Sequence, residues 1–119
     1  VKDYDAFAYC LVNHKNDVER IVEKKSISKK PWLDPMVVGT FWFKRWEIFL
    51  EMHSCVEQNG SFENAKESFI GTNINYLINR GYKVKCFWVD RWISYGDPFE
   101  YEMIHYWSDY FRATNTYPL

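Results

Sequence analysis

The 119-residue sequence is poor in the residues that staple or punctuate a chain, with three cysteines, five glycines and four prolines. Cys10, Cys55 and Cys86 are too few and too widely spaced for a disulfide framework or a zinc site. Free thiols in a reducing cytoplasm are their simplest account. An excess of either charge is also lacking, since 15 basic and 16 acidic residues leave a formal net charge of −1. A nucleic-acid binder normally carries a basic excess or stripe, because neutralising phosphates drives its affinity. The densest basic run, Lys24-Lys25 with Lys29-Lys30, is short and reads as a solvated loop, so no nucleic-acid partner is expected. No apolar stretch approaches the roughly 20 residues of a membrane span, and the first residues carry no signal-peptide pattern. His14, His53 and His105 are scattered, with no H-x-x-x-H spacing and no Ser/His/Asp grouping.

What is abundant is aromatic: nine Phe, nine Tyr and six Trp make up 20% of the chain. Hydrophobic residues at 47% and charged residues at 26% give the balance of a soluble globular domain. The length suits one domain. The chain opens on Val1 rather than Met, which fits an excised or processed piece.

The pattern predicts strands at Tyr4 to Val12 and Val18 to Val22, joined by the polar turn Asn13-His14-Lys15-Asn16-Asp17. Ser26 to Pro35 reads as an irregular loop, and the apolar run Met36 to Phe43 as a central strand. A helix is expected from Arg45 to about Glu57, with Trp46, Phe49, Leu50 and either His53 or Val56 on its apolar side and Asn59-Gly60 as the stop. A second helix is expected from about Ala65 to Asn79, striped by Phe69, Ile70, Ile74, Leu77 and Ile78 and closed by Gly81. Lys83 to Trp88 alternates like a strand with one wet face, and Trp92-Ile93 could extend the sheet. The last helix has the clearest start, with Asp97 as N-cap, Pro98 at the first position and Glu100 three residues after the cap. Its stripe of Phe99, Met103, Tyr106, Trp107, Tyr110 and Phe111 suits a core or an interface, and Ala113 to Leu119 reads as a polar, loose tail. Passing from one strand to the next through two helices predicts an α/β layered architecture with a mixed sheet and flanking helices.

Three segments then carry a resemblance. They are Val18 to Lys25, a strand ending in an acidic-basic pair; Val37 to Phe43, a strand carrying Gly39; and Gly81 to Val84, leading to Val89-Asp90-Arg91-Trp92-Ile93-Ser94-Tyr95-Gly96-Asp97-Pro98. Together they resemble the C-terminal half of the bacterial sugar-phosphate nucleotidyltransferases (nucleotide-sugar pyrophosphorylases), in particular the capsule and surface-polysaccharide members. The likeness runs from Tyr4 to Phe111. It implies a Rossmann-like, GT-A-like layered fold, with residues 1–119 as one sugar-binding unit and the N-terminal nucleotide-binding part absent. Sugar phosphate and nucleoside triphosphate are the implied substrates, an NDP-sugar the product, magnesium the cofactor and the cytoplasm the location. It further implies Glu23 and Lys24 as sugar and phosphate contacts, Gly39 as a backbone contact and Glu67 as a further acid for sugar hydroxyls.

Chemistry alone leaves each of these open. Lys24 is a compact charge and Glu23 an acceptor, yet the pair could equally be a surface ion pair. Gly39 admits close approach of backbone to a ligand, or simple strand packing. Glu67 could be exposed on its helix. The sequence also departs from the family. Ser94 stands where a magnesium-holding Asp or Asn is common, and a hydroxyl is a poorer ligand for a hard cation. No glycine-rich loop followed by Arg and Lys occurs, so the 119-residue chain alone is expected to be inactive. The alternative is a non-catalytic module that dimerises through its aromatic terminal helix.

Overall fold

A computed structural model describes residues 3–115; the tail beyond Asn115 lies outside them. The chain forms two compact units, Val1–Trp88 and Val89–Leu119. The described residues are mixed α/β, with one two-stranded antiparallel sheet and three α-helices.

The first unit is built on the expected hairpin. Strand β1 (Ala8–Val12) pairs with β2 (Val18–Glu23) in the register Cys10 opposite Ile21, with a bulge at Leu11/Val12. The turn closes because Asn13 Oδ1 accepts from the backbone N–H of Lys15 at 2.8 Å and of Asp17 at 3.1 Å, while Asn16 takes φ 62°. Tyr4–Ala6 is a 3-10 turn rather than strand, started by Asp3, whose carboxylate accepts from Asp5 N–H at 3.1 Å. Tyr9 is fully buried, and its hydroxyl donates to the Tyr4 carbonyl at 2.7 Å.

Two extended segments run beside the hairpin without forming strands of their own. Met36 bridges Tyr9, with Val37 N–H donating to the Ala8 carbonyl at 2.9 Å. The expected central strand ends there, because Gly39 at φ +83° bends the chain out of extended geometry. Along Tyr82 to Cys86 the residues alternate half-buried and exposed, as the wet-faced pattern predicts, but the alternation stops short of Trp88 because Phe87 and Trp88 are both exposed. This segment reaches the hairpin through Val18 N–H to the Val84 carbonyl (2.8 Å) and the Asp17–Lys85 bridge. Trp92 and Ile93 do not extend the sheet.

Helix α1 (Trp46–Asn59) ends at Gly60, whose φ of 79° lets its N–H reach the Val56 carbonyl at 2.7 Å. Its buried side overlaps the expected one at Phe49 and is shifted elsewhere. Met52 and Cys55 are buried with Ile48 and Phe49 beside the core, whereas Trp46 is 67% exposed. Helix α2 (Ile70–Asn79) begins five residues later than expected. Glu63 and Asn64 have left-handed φ of 57° and 55°, and the Asn73 side chain accepts from Phe62 N–H at 3.0 Å and donates to Ser68 Oγ at 2.9 Å. Those bonds commit residues 62–68 to a 3-10 turn (Phe62–Asn64) followed by a loop. Ile74 and Leu77 of α2 meet Met52 of α1 and Val18 and Ile21 of β2 in one apolar core.

One polar contact locks this arrangement. Ile21 turns its peptide groups away from β1, and the buried Asn75 side chain pairs with both of them. Asn75 Oδ1 accepts from Ile21 N–H at 2.9 Å, and Asn75 Nδ2 donates to the Ile21 carbonyl at 2.8 Å. In the second unit, helix α3 (Pro98–Ala113) starts as expected, Asp97 accepting from Glu100 N–H at 2.8 Å.

Asn75→Ala leaves a buried donor and a buried acceptor unpaired, and each such loss costs about 1–3 kcal/mol. Urea unfolding should show a loss of about 2–4 kcal/mol, larger than for the exposed-site change Asn59→Ala.

Candidate functional site

The end of β2, the bent segment after Met36 and the first turn of α2 enclose a cleft of about 260 Å³. Glu23, Val37, Gly39, Phe41, Ser68, Phe69, Ile70 and Gly71 line it. The geometry follows from the Asn75 clasp. Glu23 lies two residues beyond Ile21 and so shares its face of the strand, while Gly71 lies one turn before Asn75 on the helix. Phe41 keeps the inward side of its segment and Trp42, 82% exposed, the outward side.

The four residues singled out in the sequence fall in one neighbourhood. Glu23 and Gly39 line the cleft. Lys24 Nζ bonds Glu67 Oε2 at 3.0 Å and sits 5.1 Å from the centroid of the Phe69 ring, itself a wall of the cleft. Gly39 is there for its backbone rather than for close packing: φ is +83°, and a Cβ built on it meets nothing within 4 Å. Glu67 lies in the loop before α2 rather than on a helix. Sequence reading missed Phe41, Ser68 and Gly71 and took Phe69 for core. The available signal was a small residue, Gly71, interrupting the apolar start of α2.

The cleft is electrically mixed. Burial is the main cause holding the Glu23 carboxyl above the ordinary carboxylate range; Lys24 pulls it down and Glu67 pushes it up. Lys24 and Glu67 remain more than half exposed, and an exposed pair of this kind contributes at most about 1 kcal/mol. A carboxylate that accepts hydroxyl hydrogen bonds, two aromatic walls and a nearby lysine that a phosphate could recruit cheaply make a small polar-apolar site.

Among the described residues, other reactive groups do not assemble. Burial pushes the Cys10 thiol up to about 11, helped by Cys86, and burial also raises Cys86 itself, so neither thiol is an activated nucleophile. Glu51 is held by Arg80 at 2.8 Å and by the Tyr82 hydroxyl, a tie between α1 and the end of α2. No group of three or more metal-ligating side chains occurs among the described residues. Ser94, the position tied by resemblance to magnesium, donates its hydroxyl to Glu100, and Asp97 is spent on the helix cap. Those two residues do not fit a cation site. Among the described residues no helix is long and apolar enough to cross a membrane. No family model matches the chain, and comparison with curated proteins and with solved structures gives no significant match.

The raised Glu23 value fixes the sign of a pH effect. The folded state holds this proton more tightly than the unfolded chain does. The contribution of Glu23 is therefore most favourable below the ordinary glutamate value of 4.5 and is lost as the pH rises from there through the folded-state value. Urea denaturation at about pH 4 and about pH 7 should show Glu23→Gln gaining on the native protein at the higher pH. A constant difference between the two proteins would contradict this.

Proposed function

We propose that the cleft beside Glu23 binds the sugar of a sugar phosphate, and that the chain is the sugar-binding part of a nucleotidyltransferase of surface-polysaccharide synthesis. The observation that carries the reading is the convergence of Glu23, Gly39, Phe41 and Phe69 on one cleft with Lys24 at its side. Carbohydrate rings present hydroxyl donors at their edges and C–H groups on their faces. A carboxylate flanked by aromatic walls answers both, and a volume just under the usual range for drug-sized ligands suits one ring better than a nucleotide. Lys24 would exchange Glu67 for the ligand's phosphate, giving up only a weak surface pair.

In the complete enzyme the sugar-phosphate oxygen would attack the α-phosphorus of a nucleoside triphosphate. The new P–O bond forms as the bond to the leaving pyrophosphate breaks, giving an NDP-sugar. Magnesium would neutralise charge on the pyrophosphate; Ser94 and Asp97 have no part in that step. What these residues supply is positioning and charge, the main protein contributions to phosphoryl transfer. The reading includes a Rossmann-like layered fold for the whole enzyme and a cytoplasmic location, which the three free thiols favour.

Isothermal titration with glucose 1-phosphate tests the reading directly. The native chain binds it, and Lys24→Ala binds about 5- to 20-fold more weakly, the loss of one charge-assisted contact. Equal binding by the variant removes Lys24 from the site. With a nucleoside triphosphate added, the 119-residue chain alone should release no pyrophosphate.

A second reading draws on α3. Phe99 is 69% exposed and Tyr106 65% exposed, and no described residue of the helix is buried. Trp107 contacts Tyr106, Tyr110 and Phe111 with ring centroids 5.4–6.0 Å apart, forming an aromatic surface suited to pairing with a second copy. Light scattering over a concentration series should then show a dimer that Trp107→Ala dissociates. A strictly monomeric native chain counts against it.

A further inference from the structure

Glycine needs a reason at each position it holds inside ordered structure, and Gly71 has none of the usual ones. Its backbone is not in the left-handed region, unlike Gly39, Gly60 and Gly81. It lies in the first turn of α2, where a residue with a side chain would lose less backbone entropy on folding. Close packing does not demand it either. A Cβ built there would stand 3.5 Å from Ile21 Cγ2, 3.5 Å from Phe41 Cζ and 3.7 Å from Glu23 Oε2, all ordinary contact distances. An alanine therefore fits. What the missing side chain leaves is room at the floor of the cleft, directly in front of the Glu23 carboxylate.

We propose that Gly71 is a specificity-determining residue of the cleft, its missing side chain admitting one CH–OH edge of a monosaccharide ring against Glu23. This rests on the reading of the cleft as a sugar site. The hydroxyl of that edge donates to the Glu23 carboxylate, and the ring carbons lie against Phe41 and Phe69. The phosphate stays outside with Lys24. A methyl at position 71 takes up the space for the edge without touching the phosphate end. Binding of the ring and binding of the phosphate therefore respond differently to the same substitution.

Gly71→Ala in the full chain separates this role from a structural one. Thermal melting should show its midpoint raised by about 2–5 °C, the usual effect of alanine replacing glycine at a compatible site. Titration with glucose 1-phosphate, galactose 1-phosphate and mannose 1-phosphate should show affinity lowered about tenfold or more, with binding of inorganic phosphate unchanged. Equal sugar-phosphate affinity in Gly71→Ala overturns the proposal and leaves the sugar reading intact. A lowered midpoint also overturns it, because the glycine would then be required by packing. Failure of the unmodified chain to bind any of the three sugar phosphates overturns the sugar reading itself and the role of Gly71 with it.

Discussion

The first unit depends on a single side-chain amide reading a single residue's backbone. A two-stranded hairpin has two open edges, and the edge at Ile21 would bury an N–H and a carbonyl with no partner. Asn75 satisfies both at 2.9 and 2.8 Å from the middle of α2. Apolar contact among Val18, Ile21, Met52, Ile74 and Leu77 supplies attraction but no register, since such contacts tolerate sliding. The amide does not tolerate it. Shifting α2 by one residue would leave three or four buried polar groups unpaired, and that penalty exceeds what a small gain in apolar contact could offset.

Fixing residue 75 on residue 21 also fixes what stands one step further along each element. The Glu23 carboxylate and the first turn of α2 come together, so that a Cβ at position 71 would stand 3.7 Å from Glu23 Oε2. Cross-links outside the core repeat the same register. Arg20 pairs with Glu63, and Lys24 with Glu67, each across 43 residues of sequence. Both pairs are exposed and individually weak, so their value is in holding the 62–68 loop beside the cleft rather than in net stability. The Asn73 side chain does the same from within, through Phe62 N–H and Ser68 Oγ.

Local chemistry was legible in the sequence, and tertiary choice was not. The Asn13–Asp17 turn, the Gly60 and Gly81 stops and the Asp97 cap each depend on neighbours within a few residues, and all formed where the residue types indicated. Asn75 reads as a polar residue interrupting a helix, because its partner lies 54 residues away. The start of α2 was misread for a related reason: helical propensity from Ala65 onward gives way to side-chain bonds made by Asn73. Periodicity placed Trp46 and Leu50 on the inner side of α1, but only contact with α2 selects Met52 and Cys55. For the candidate site, the resemblance pointed to Glu23, Lys24, Gly39 and Glu67, residues whose chemistry alone left a surface pair, strand packing or an exposed acid equally open. The walls were hidden, since Phe41, Phe69 and Gly71 look like any apolar filling until the fold gives them a cavity to face.

The end of β2 shows how the backbone serves that cavity. Alternation along an extended strand would send Glu23 and Lys24 to opposite faces of the sheet. Lys24 instead takes φ 51°, a left-handed conformation that costs a residue with a side chain about 1–2 kcal/mol. Its N–H is anchored to the carbonyl of Phe7, the residue before β1, at 2.9 Å, so the turn is held by that contact rather than by its own preference. The consequence is that the ammonium reaches Glu67 and the Phe69 ring, on the side where the Glu23 carboxylate lines the cleft. A glycine would adopt this conformation without strain, and an extended lysine would carry its charge away. A left-handed lysine brings its ammonium to the side of the Glu23 carboxyl, and the strain that accompanies it lies in the turn just after β2.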